Sequence, residues 1–361
     1  MHREPGKSRN SSPAGANSFL DFVNAVLKEL LKRTSRSFYL TLRVLPGRVR
    51  PQIGLAYLLA RSTDTIADTE IVPLGRRLDA LHELRNRILG KSAAPLNFGA
   101  LAKQQASPAE RLLLEKVDDS LALLQKLSPP DVQRVRDVLD IITSGQQLDL
   151  ERFAGASAGN IIALKSAIEL DDYIYRVAGC VGEFWTRVCR AHLFPRAELE
   201  EAQLFSDSIR FGKGLQLVNI LRDLAVDLRR GRCYLPSLDL EPLGLIPSAL
   251  FSPVSESRFL PVYHRYLDLA KSHLQAGWDY TNSLPRGQIR VRLACAWPIL
   301  IGARTIERMR AADMVKLRQG VKISRGDVRA IILRSVLLYP LQTAWRKQFV
   351  ATRKQLHPAP N

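Results

Sequence analysis

Apolar residues recur at three- and four-residue intervals along most of this 361-residue sequence, which is the spacing of one face of an α-helix. The pattern is clear in FLDFVNAVLKELL, VRPQIGLAYLLARSTDTIAD, PAERLLLEKVDDSLALLQKL and PPDVQRVRDVLDIITSGQQL. Pro51, Pro108 and the pair Pro129–Pro130 stand where helices would begin, because the first helical position tolerates proline. No stretch alternates with the two-residue period of a strand. The sequence therefore predicts an all-α protein.

The composition is that of a folded protein with one large core. Hydrophobic residues make up 46% of the sequence and charged residues 24%, and a chain of this length can bury a core without disulfides. Residues 1–17 are rich in Ser, Gly, Pro and charge and are predicted to be a disordered basic tail. We expect a single helical domain over residues 18–350 and a C-terminal tail over 351–361. Irregular breaks near 90–108, 154–160 and 235–258 each carry apolar residues, unlike an interdomain linker.

The positive net charge indicates anionic partners but does not identify which anions they are. The formal net charge is +18, but no basic run has interleaved aromatics and no RNA-recognition signature occurs, so nucleic acid is not predicted as a partner. The four cysteines lack metal-binding spacing and are expected to be reduced thiols, as in a cytoplasmic protein: Cys180, Cys189, Cys233 and Cys295. The amino-terminal region has no apolar segment typical of a signal peptide. The sequence leaves the oligomeric state open.

One late segment, VRAIILRSVLLYPLQTAW, is apolar enough to raise the question of membrane contact. It is short and is interrupted by Arg334 and Pro340, so it is not predicted to span a bilayer. Two placements remain, of which closing the core is favoured and lying on a membrane surface is the alternative. The expected location is the cytoplasm, with a peripheral position on the inner face of the membrane left open.

Two helical segments each carry a stripe of polar residues with aspartates one turn apart. In the first, Tyr57, Arg61, Asp64 and Asp68 fall within roughly 60° of one another at ~100° per residue. Two carboxylates one turn apart repel each other unless a cation lies between them. This stripe therefore predicts either a solvated helix face or a cation site.

The second stripe contains Gln216, Asn219, Asp223 and Asp227. Its neighbours along the helix are apolar, which is unusual for a solvent-facing helix and typical of a helix whose polar face lines a cavity: Leu217, Val218, Ile220, Leu221, Leu224 and Val226. A lone DxxxD pattern is usually a solvated face. Two such stripes, both set in apolar helices, favour a binding site instead.

Carboxylate and amide oxygens are ligands that suit Mg²⁺, which shares its coordination shell with water and phosphate. Magnesium also neutralises the charge that develops as a carbon–oxygen bond to diphosphate breaks. Arg61, Arg222 and Arg232 are placed to complete such a site through bidentate contacts with phosphate oxygens. The two stripes together predict a magnesium-diphosphate site.

Four sequence blocks carry a resemblance to a known family: TSRSFYLTLRVLP (34–46), AYLLARSTDTIADT (56–69), YIYRVAGCVGEFW (173–185) and GKGLQLVNILRDLAVDLRRGRCYLP (212–236). With these blocks, over about residues 20–340, the chain resembles the squalene/phytoene synthase family of head-to-head prenyl transferases. CAWPILIGARTIERM (295–309) and VKISRGDV (321–328) are more similar to squalene synthases than to phytoene synthases. The resemblance implies a single-domain α-helical isoprenoid synthase bundle around a central apolar cavity.

The resemblance also implies a role for each matching residue. Asp64 and Asp68 match the first magnesium motif, Asp223 and Asp227 match the second, and Tyr173 matches a tyrosine that assists proton removal. Phe38 and Leu42 match positions beside the prenyl tail. A larger set matches residues that contact or surround the substrate diphosphates: Ser35, Arg36, Ser37, Tyr57, Arg61, Gln216, Asn219, Arg222, Arg232 and Tyr234. Within this set, Asn219 also matches a metal ligand.

The implied reaction joins two farnesyl diphosphates through presqualene diphosphate to squalene, with Mg²⁺ and reduction by NADPH. No GxGxxG motif follows a strand, so a Rossmann-type NADPH site is not predicted. Thr65 replaces a second acid found in many relatives, and Arg176 is more typical of phytoene synthases. The first alternative is phytoene synthesis from two geranylgeranyl diphosphates without NADPH, and a dehydrosqualene or hydroxysqualene product is a further one. The alternative from another class is a non-catalytic helical protein that binds membranes or assembly partners.

Overall fold

The computed structural model describes residues 38–351, with side chains over residues 41–349. It confirms the all-α class. In chain order the helices are α1 (Phe38–Val44), α2 (Arg50–Asp68), α3 (Leu74–Leu89), α4 (Gly99–Lys103), α5 (Pro108–Glu115), α6 (Val117–Leu124), α7 (Pro129–Arg152), α8 (Ala167–Ile174), α9 (Cys180–His192), α10 (Glu201–Arg229), α11 (Ser237–Leu240), α12 (Glu256–Ser283), α13 (Ile289–Arg310), α14 (Met314–Gln319), α15 (Arg325–Leu338) and α16 (Gln342–Ala351). Both predicted tails lie outside this range, except that Ala351 ends α16.

Prolines begin three of the helices, as the sequence predicts. Pro51, Pro108 and Pro129 occupy the first or second position of α2, α5 and α7. The first turn of a helix has no use for a backbone N–H donor, so proline costs nothing there and its fixed φ favours the helical start. Two of these helices, α2 and α7, form walls of the site described below.

The bundle divides into two packed groups of helices around α10. On one side, α2, α3 and α7 pack together through a core that includes Leu58, Leu84 and Leu139, all 0% exposed. On the other side, α10 packs along α12 and α13 through Leu217 and Leu267, also 0% exposed. Aliphatic side chains at helical spacing on both faces of α10 explain why it lies in the interior.

A short pair of strands interrupts the helical pattern, and the sequence did not predict it. β1 (Ile162–Ala163) and β2 (Arg232–Cys233) pair in parallel, with the Ile162 N–H donating to the Gly231 carbonyl at 2.8 Å. Two residues are too few to show a strand period in sequence. Gly231 has φ +83°, and a Cβ there would lie 2.3 Å from the Ser157 backbone nitrogen, so only glycine fits this approach.

The predicted breaks at 90–108, 154–160 and 235–258 contain connecting loops and short helical turns. The first includes α4, and the last includes α11 and three 3-10 turns: Glu241–Leu243, Pro247–Ala249 and Pro253–Ser255. A π-helical turn, Tyr175–Gly179, joins α8 to α9. Inserted π turns of this kind often occur at functional sites.

The apolar late segment divides at Pro340 into two helices with different environments. Trp345 of α16 is 2% exposed and stacks on Trp278 with ring centroids 5.2 Å apart, so this part closes the core as expected. Within α15, by contrast, only Ser335 is buried, and Leu333 and Leu337 are 61% and 65% exposed. The expectation of core closure is therefore wrong for the outer face of α15. Over the described residues, the helices are too short or too polar to cross a membrane.

Candidate active site

A cavity of about 960 Å³ lies between α2, α7 and α10. Along α2 its wall begins with Ile53 and Ala56 and ends with Asp64 and Asp68, so one helix face changes from apolar to acidic over a rise of about 22 Å. The aspartate stripe predicted from sequence thus lines the cavity, with Asp68 exposed at its polar end. The volume lies near the upper end of the roughly 300–1,000 Å³ typical of small-molecule sites.

The other two walls repeat this gradient. Val138 and Ile142 of α7 line the apolar part, and Asp149 lies at the polar end. On α10, Asp223 and Asp227 reach the polar end, as the second predicted stripe requires. The structure therefore brings most of the predicted residues to one cavity: Tyr57, Arg61, Asp64, Asp68, Tyr173, Gln216, Asn219, Asp223, Asp227, Arg232 and Tyr234.

Three helices end at the polar end of the cavity. α2 ends at Asp68, α7 ends at Arg152 and α10 ends at Arg229. The carboxyl end of a helix carries about half a negative charge, so these ends add to the charge of the aspartates. Such a concentration of negative charge requires cations before it could accept an anionic diphosphate. Arg230 and Arg232, which follow α10, supply part of that positive charge.

The electrostatics raise the pKa of aspartates from both stripes. Burial, and then the charge of Asp68, raise the pKa of Asp64 to about 7, although Arg61 opposes the change. Burial, and then the charge of Asp223, raise the pKa of Asp227 to about 7 against the influence of Arg230. Aspartates that resist ionisation in this way are arranged for a divalent cation, which would restore their charged form.

Two of the predicted phosphate-binding arginines, Arg61 and Arg222, pair with aspartates of the two stripes in this structure. The Arg61 guanidinium donates to Asp64 and, at 2.6 Å, to Glu110 Oε1. The Arg222 guanidinium donates to both oxygens of Asp223 at 2.9 and 2.6 Å. Each arginine is therefore held beside its aspartate, where it can exchange that contact for a phosphate oxygen once the aspartate binds a metal.

The donor set fits Mg²⁺ better than a metal held by protein alone. In the part of the chain that the structure describes, three or more His, Cys, Asp or Glu side chains do not converge on one point. Mg²⁺ needs only one or two carboxylates and takes its other ligands from water and substrate phosphates. Asp64 and Asp68 would hold it on one side, and Asp223, Asp227 and Asn219 on the other.

The paired strands position Arg232 and Tyr234. Alternate residues of an extended segment point to the same side, so both side chains face the cavity while Cys233, 0% exposed, faces the core. The Tyr234 hydroxyl donates to Asp149 Oδ1 at 2.9 Å, and the Arg232 guanidinium lies 3.3 Å from Asp149 Oδ2. Tyr173 stacks on Tyr234 with ring centroids 4.9 Å apart.

A second, mostly apolar cavity of about 500 Å³ adjoins the first. The two cavities share Val177, Val181, Trp185, Gln216 and Asn219. The walls that belong to the second cavity alone come mainly from α13 and α10 and include Trp297 and Ile301, while α15 adds Val328 and Ile332. Arg222 lines this cavity and not the larger one, whereas all four residues of the second stripe line the larger cavity.

Five predicted residues are not among the described residues that line the cavities. Ser35, Arg36 and Ser37 lie outside the described residues, as does the side chain of Phe38. Leu42 is described, but it is 2% exposed within the core and lines neither cavity. The neighbouring Thr41 lines the second cavity instead.

Among the charged and amide residues that line the larger cavity, four were missed by the sequence interpretation: Glu110, Gln146, Asp149 and Arg230. Asp149 stands in QQLDLERF without an aspartate one turn away, so no stripe identified it. Arg230 lies in the basic run RRGR, where sequence alone does not separate a cavity residue from a solvated one. Glu110 is distant in sequence, and only the fold brings it to Arg61.

Comparisons with known proteins identify relatives of this chain in sequence and in fold. A 15-cis-phytoene synthase of Synechococcus elongatus is 27% identical over 300 residues, which cover 80% of this chain and 82% of that protein. A squalene synthase of Eremothecium gossypii is 28% identical over 314 residues, covering 85% of this chain and 66% of that protein. The structure of TcSQS with the ligand BPH1237 shares the fold, with a TM-score of 0.73 and 20% identity over 95% of this chain and 94% of that one.

The family model described as squalene/phytoene synthase matches residues 31–327, which include both aspartate stripes and the walls of the larger cavity. This match spans well over half of the sequence. The chain belongs to the squalene/phytoene synthase family.

Proposed function

We propose that this protein condenses two farnesyl diphosphates head to head through presqualene diphosphate and reduces the product to squalene with NADPH. Membership of the family makes the chain a prenyltransferase. The observation that carries the proposal is the cavity itself, in which two aspartate pairs meet at one end and apolar walls continue from the other. A charged diphosphate and a hydrocarbon tail require that combination.

Each part of the cavity has a task in this reaction. When bound at the aspartates, Mg²⁺ supplies positive charge to the departing diphosphate. Arg230 and Arg232 add positive charge at the same end, and Arg61 can turn from Asp64 to a phosphate oxygen. The apolar walls keep water away from the allylic cations, which water would otherwise trap as alcohols.

The choice of squalene over phytoene rests on the carboxy-terminal blocks. Relatives named for both products have similar identity to this chain, 27% and 28%. Residues 295–309 and 321–328, which resemble squalene synthases, contribute Cys295, Trp297, Ile301 and Val328 to the second cavity. These blocks therefore line the space beside the polar site. Phytoene formation from geranylgeranyl diphosphate without NADPH is the second candidate.

Diphosphate release from farnesyl diphosphate tests the proposed site. Asp64→Asn and Asp223→Asn should each lower the rate at least 10²-fold with Mg²⁺ present, because charge stabilisation by a single group is typically worth 10²–10³-fold. Asp140→Asn is a matched control, since Asp140 lies on α7 and pairs with Arg85, away from the cavity. Near-normal release by both site variants would contradict the assignment of the two aspartate pairs.

We also propose that α15 docks on an anionic membrane surface. Leu333 and Leu337 lie one turn apart on its exposed face, and the exposed Arg329 and Arg334 flank them. The opposite face of α15 covers the second cavity through Val328 and Ile332. A hydrocarbon product could therefore pass from that cavity to lipid without crossing water.

Co-sedimentation with vesicles of phosphatidylcholine and phosphatidylglycerol tests this docking surface. The double variant Leu333→Ser/Leu337→Ser should bind such vesicles markedly less than the unchanged chain. Val254→Ser is the control, because Val254 is 78% exposed on a different part of the surface. Equal binding by all three proteins would exclude α15 as the membrane contact.

A further inference from the structure

Three side chains form a continuous hydrogen-bonded line that starts at the cavity and ends at a buried carboxylate. The Tyr173 hydroxyl lies 3.5 Å from the Tyr234 hydroxyl, and the Tyr234 hydroxyl lies 2.9 Å from Asp149 Oδ1. The Asp149 side chain is 13% exposed, and Tyr234 is 6% exposed. The sequence gives no sign of this arrangement, because the three residues come from α8, the position after β2, and α7.

The chemistry of the end group fixes the direction of these hydrogen bonds. An ionised carboxylate only accepts, so the Tyr234 hydroxyl must donate to Asp149. The Tyr234 oxygen is then free to accept from the Tyr173 hydroxyl. Tyr173 consequently points its proton away from the substrate and presents oxygen lone pairs to the cavity that it lines.

Tyr173 on its own is poorly suited to keep a proton taken from a substrate. Burial, and then the charge of Asp149, raise the pKa of Tyr173 well above its ordinary value. The Tyr173 hydroxyl therefore stays neutral, and a neutral hydroxyl is a weak base. A proton can be accepted only if another leaves at the same time. The hydrogen bond to Tyr234 offers that route. Burial raises the pKa of Asp149 to about 6, so its carboxylate accepts a proton more readily than that of an ordinary aspartate.

The other acids at this end of the cavity are committed elsewhere. Asp64, Asp68, Asp223 and Asp227 are the expected metal ligands, and a metal-bound carboxylate is a weak base. Glu110 pairs with Arg61 at 2.6 Å. Asp149 pairs with Arg232 at the longer distance of 3.3 Å and accepts the tyrosine hydrogen bond, so it is the acid that the line of hydroxyls connects to the cavity.

Resting on the proposed function, we infer that Asp149 is the final acceptor of the proton released when the cyclopropane ring of presqualene diphosphate closes. A C–H bond at C1 of the first substrate breaks, and its electron pair forms the ring bond to the cationic carbon. The proton passes to the Tyr173 oxygen, the Tyr173 proton passes to Tyr234, and the Tyr234 proton passes to Asp149. The products are a neutral ring and a protonated Asp149, so atoms and charge balance.

Single turnovers without NADPH, using ordinary and C1-dideuterated farnesyl diphosphate, test the relay. Asp149→Asn keeps an oxygen that accepts from Tyr234 but cannot take its proton. Tyr234→Phe keeps the aromatic stack and breaks the line of hydroxyls. Each should slow formation of the cyclopropane product by roughly 10²-fold, the lower end of the contribution of general acid–base groups. The deuterium isotope effect should also rise above that of the unchanged chain, because proton loss becomes the slow step.

A merely structural role would give a different result. Loss of packing or of substrate binding would lower the melting temperature or raise the enzyme concentration needed for half-maximal single-turnover rate, without increasing the isotope effect. That outcome in both variants would overturn the relay. Wild-type rates in both variants would overturn it as well. Asp140→Asn, on the same helix, should leave the rate and the isotope effect unchanged. An unchanged chain that makes no cyclopropane product would instead overturn the proposed function on which the relay rests.

Discussion

Gly212 of α10 lies against the Ala178 carbonyl of the π-helical turn so closely that a Cβ on Gly212 would stand 2.1 Å from that oxygen. This approach presses the turn and the adjoining α8 against α10. As a result, Val177 and Tyr173 face Gln216 and Asn219 across the cavity. Gly212 opens the fourth sequence block, but nothing in its spacing reveals this contact with Ala178, on which the shape of the site depends.

Replacement of Gly212 by alanine should therefore affect both stability and activity. The methyl group has no room unless α10 and the π turn separate, and overpacking of this kind typically costs about 1–3 kcal/mol. We expect a lower free energy of unfolding and reduced turnover, measured by denaturant unfolding and by diphosphate release. Gly47→Ala is the control, because a Cβ at Gly47 has no neighbour within 4 Å. Equal stability of the two variants would show that the approach is not required.

Magnesium binding should be linked to pH through the site aspartates. The pKa values of Asp64 and Asp227 are raised to about 7 in the folded, metal-free chain, so the folded state binds more protons than the unfolded state between about pH 4 and 7. Their contribution to the stability of the metal-free protein is therefore lost as the pH rises through that range. Mg²⁺ must displace these protons, so it should bind more tightly at pH 8 than at pH 6.

Thermal unfolding with and without Mg²⁺ checks this linkage. At ten times its Kd, Mg²⁺ should add about 1.4 kcal/mol to the stability. At a fixed, subsaturating concentration, the rise in Tm should be larger at pH 8 than at pH 6. In Asp64→Asn/Asp227→Asn the rise should be small at both values of pH. A rise that is equal at pH 6 and pH 8 in the unchanged chain would contradict the link.

The two late helices should respond differently to truncation. Trp345 is 2% exposed, and its indole N–H donates to Asn282 at 2.8 Å, so Trp345→Ala should cost about 3–5 kcal/mol of stability. Leu337 is 65% exposed, so Leu337→Ser should change stability by no more than about 0.5 kcal/mol. Urea unfolding measures both values. A large loss from Leu337→Ser would mean that α15 packs on the rest of the chain more fully than its exposure indicates.

Filling the second cavity should affect substrate use without affecting metal binding. Ile301 lines that cavity and does not line the larger one, so Ile301→Trp adds bulk away from the aspartates. We expect reduced turnover, with geranylgeranyl diphosphate affected more than farnesyl diphosphate, and an unchanged Tm shift with Mg²⁺. Unchanged turnover of both substrates would indicate that prenyl chains do not enter this cavity.

The sequence predicted the helical class, the proline-initiated helices and both aspartate stripes because each depends on spacing within one segment. Asp149 and Glu110 were missed since their roles arise from contacts across long separations, 85 residues to Tyr234 and 49 to Arg61. The outer face of α15 was misjudged for a related reason. Periodicity shows that a helix has apolar residues, but only packing decides whether another helix covers them.

Product analysis by gas chromatography and mass spectrometry tests the central claim most directly. The purified chain would receive Mg²⁺ and either farnesyl or geranylgeranyl diphosphate, with and without NADPH. We predict squalene from farnesyl diphosphate only when NADPH is present, and accumulation of presqualene diphosphate when it is absent. Phytoene from geranylgeranyl diphosphate, formed regardless of NADPH, would contradict the squalene assignment, and the absence of any condensation product would contradict the catalytic role itself.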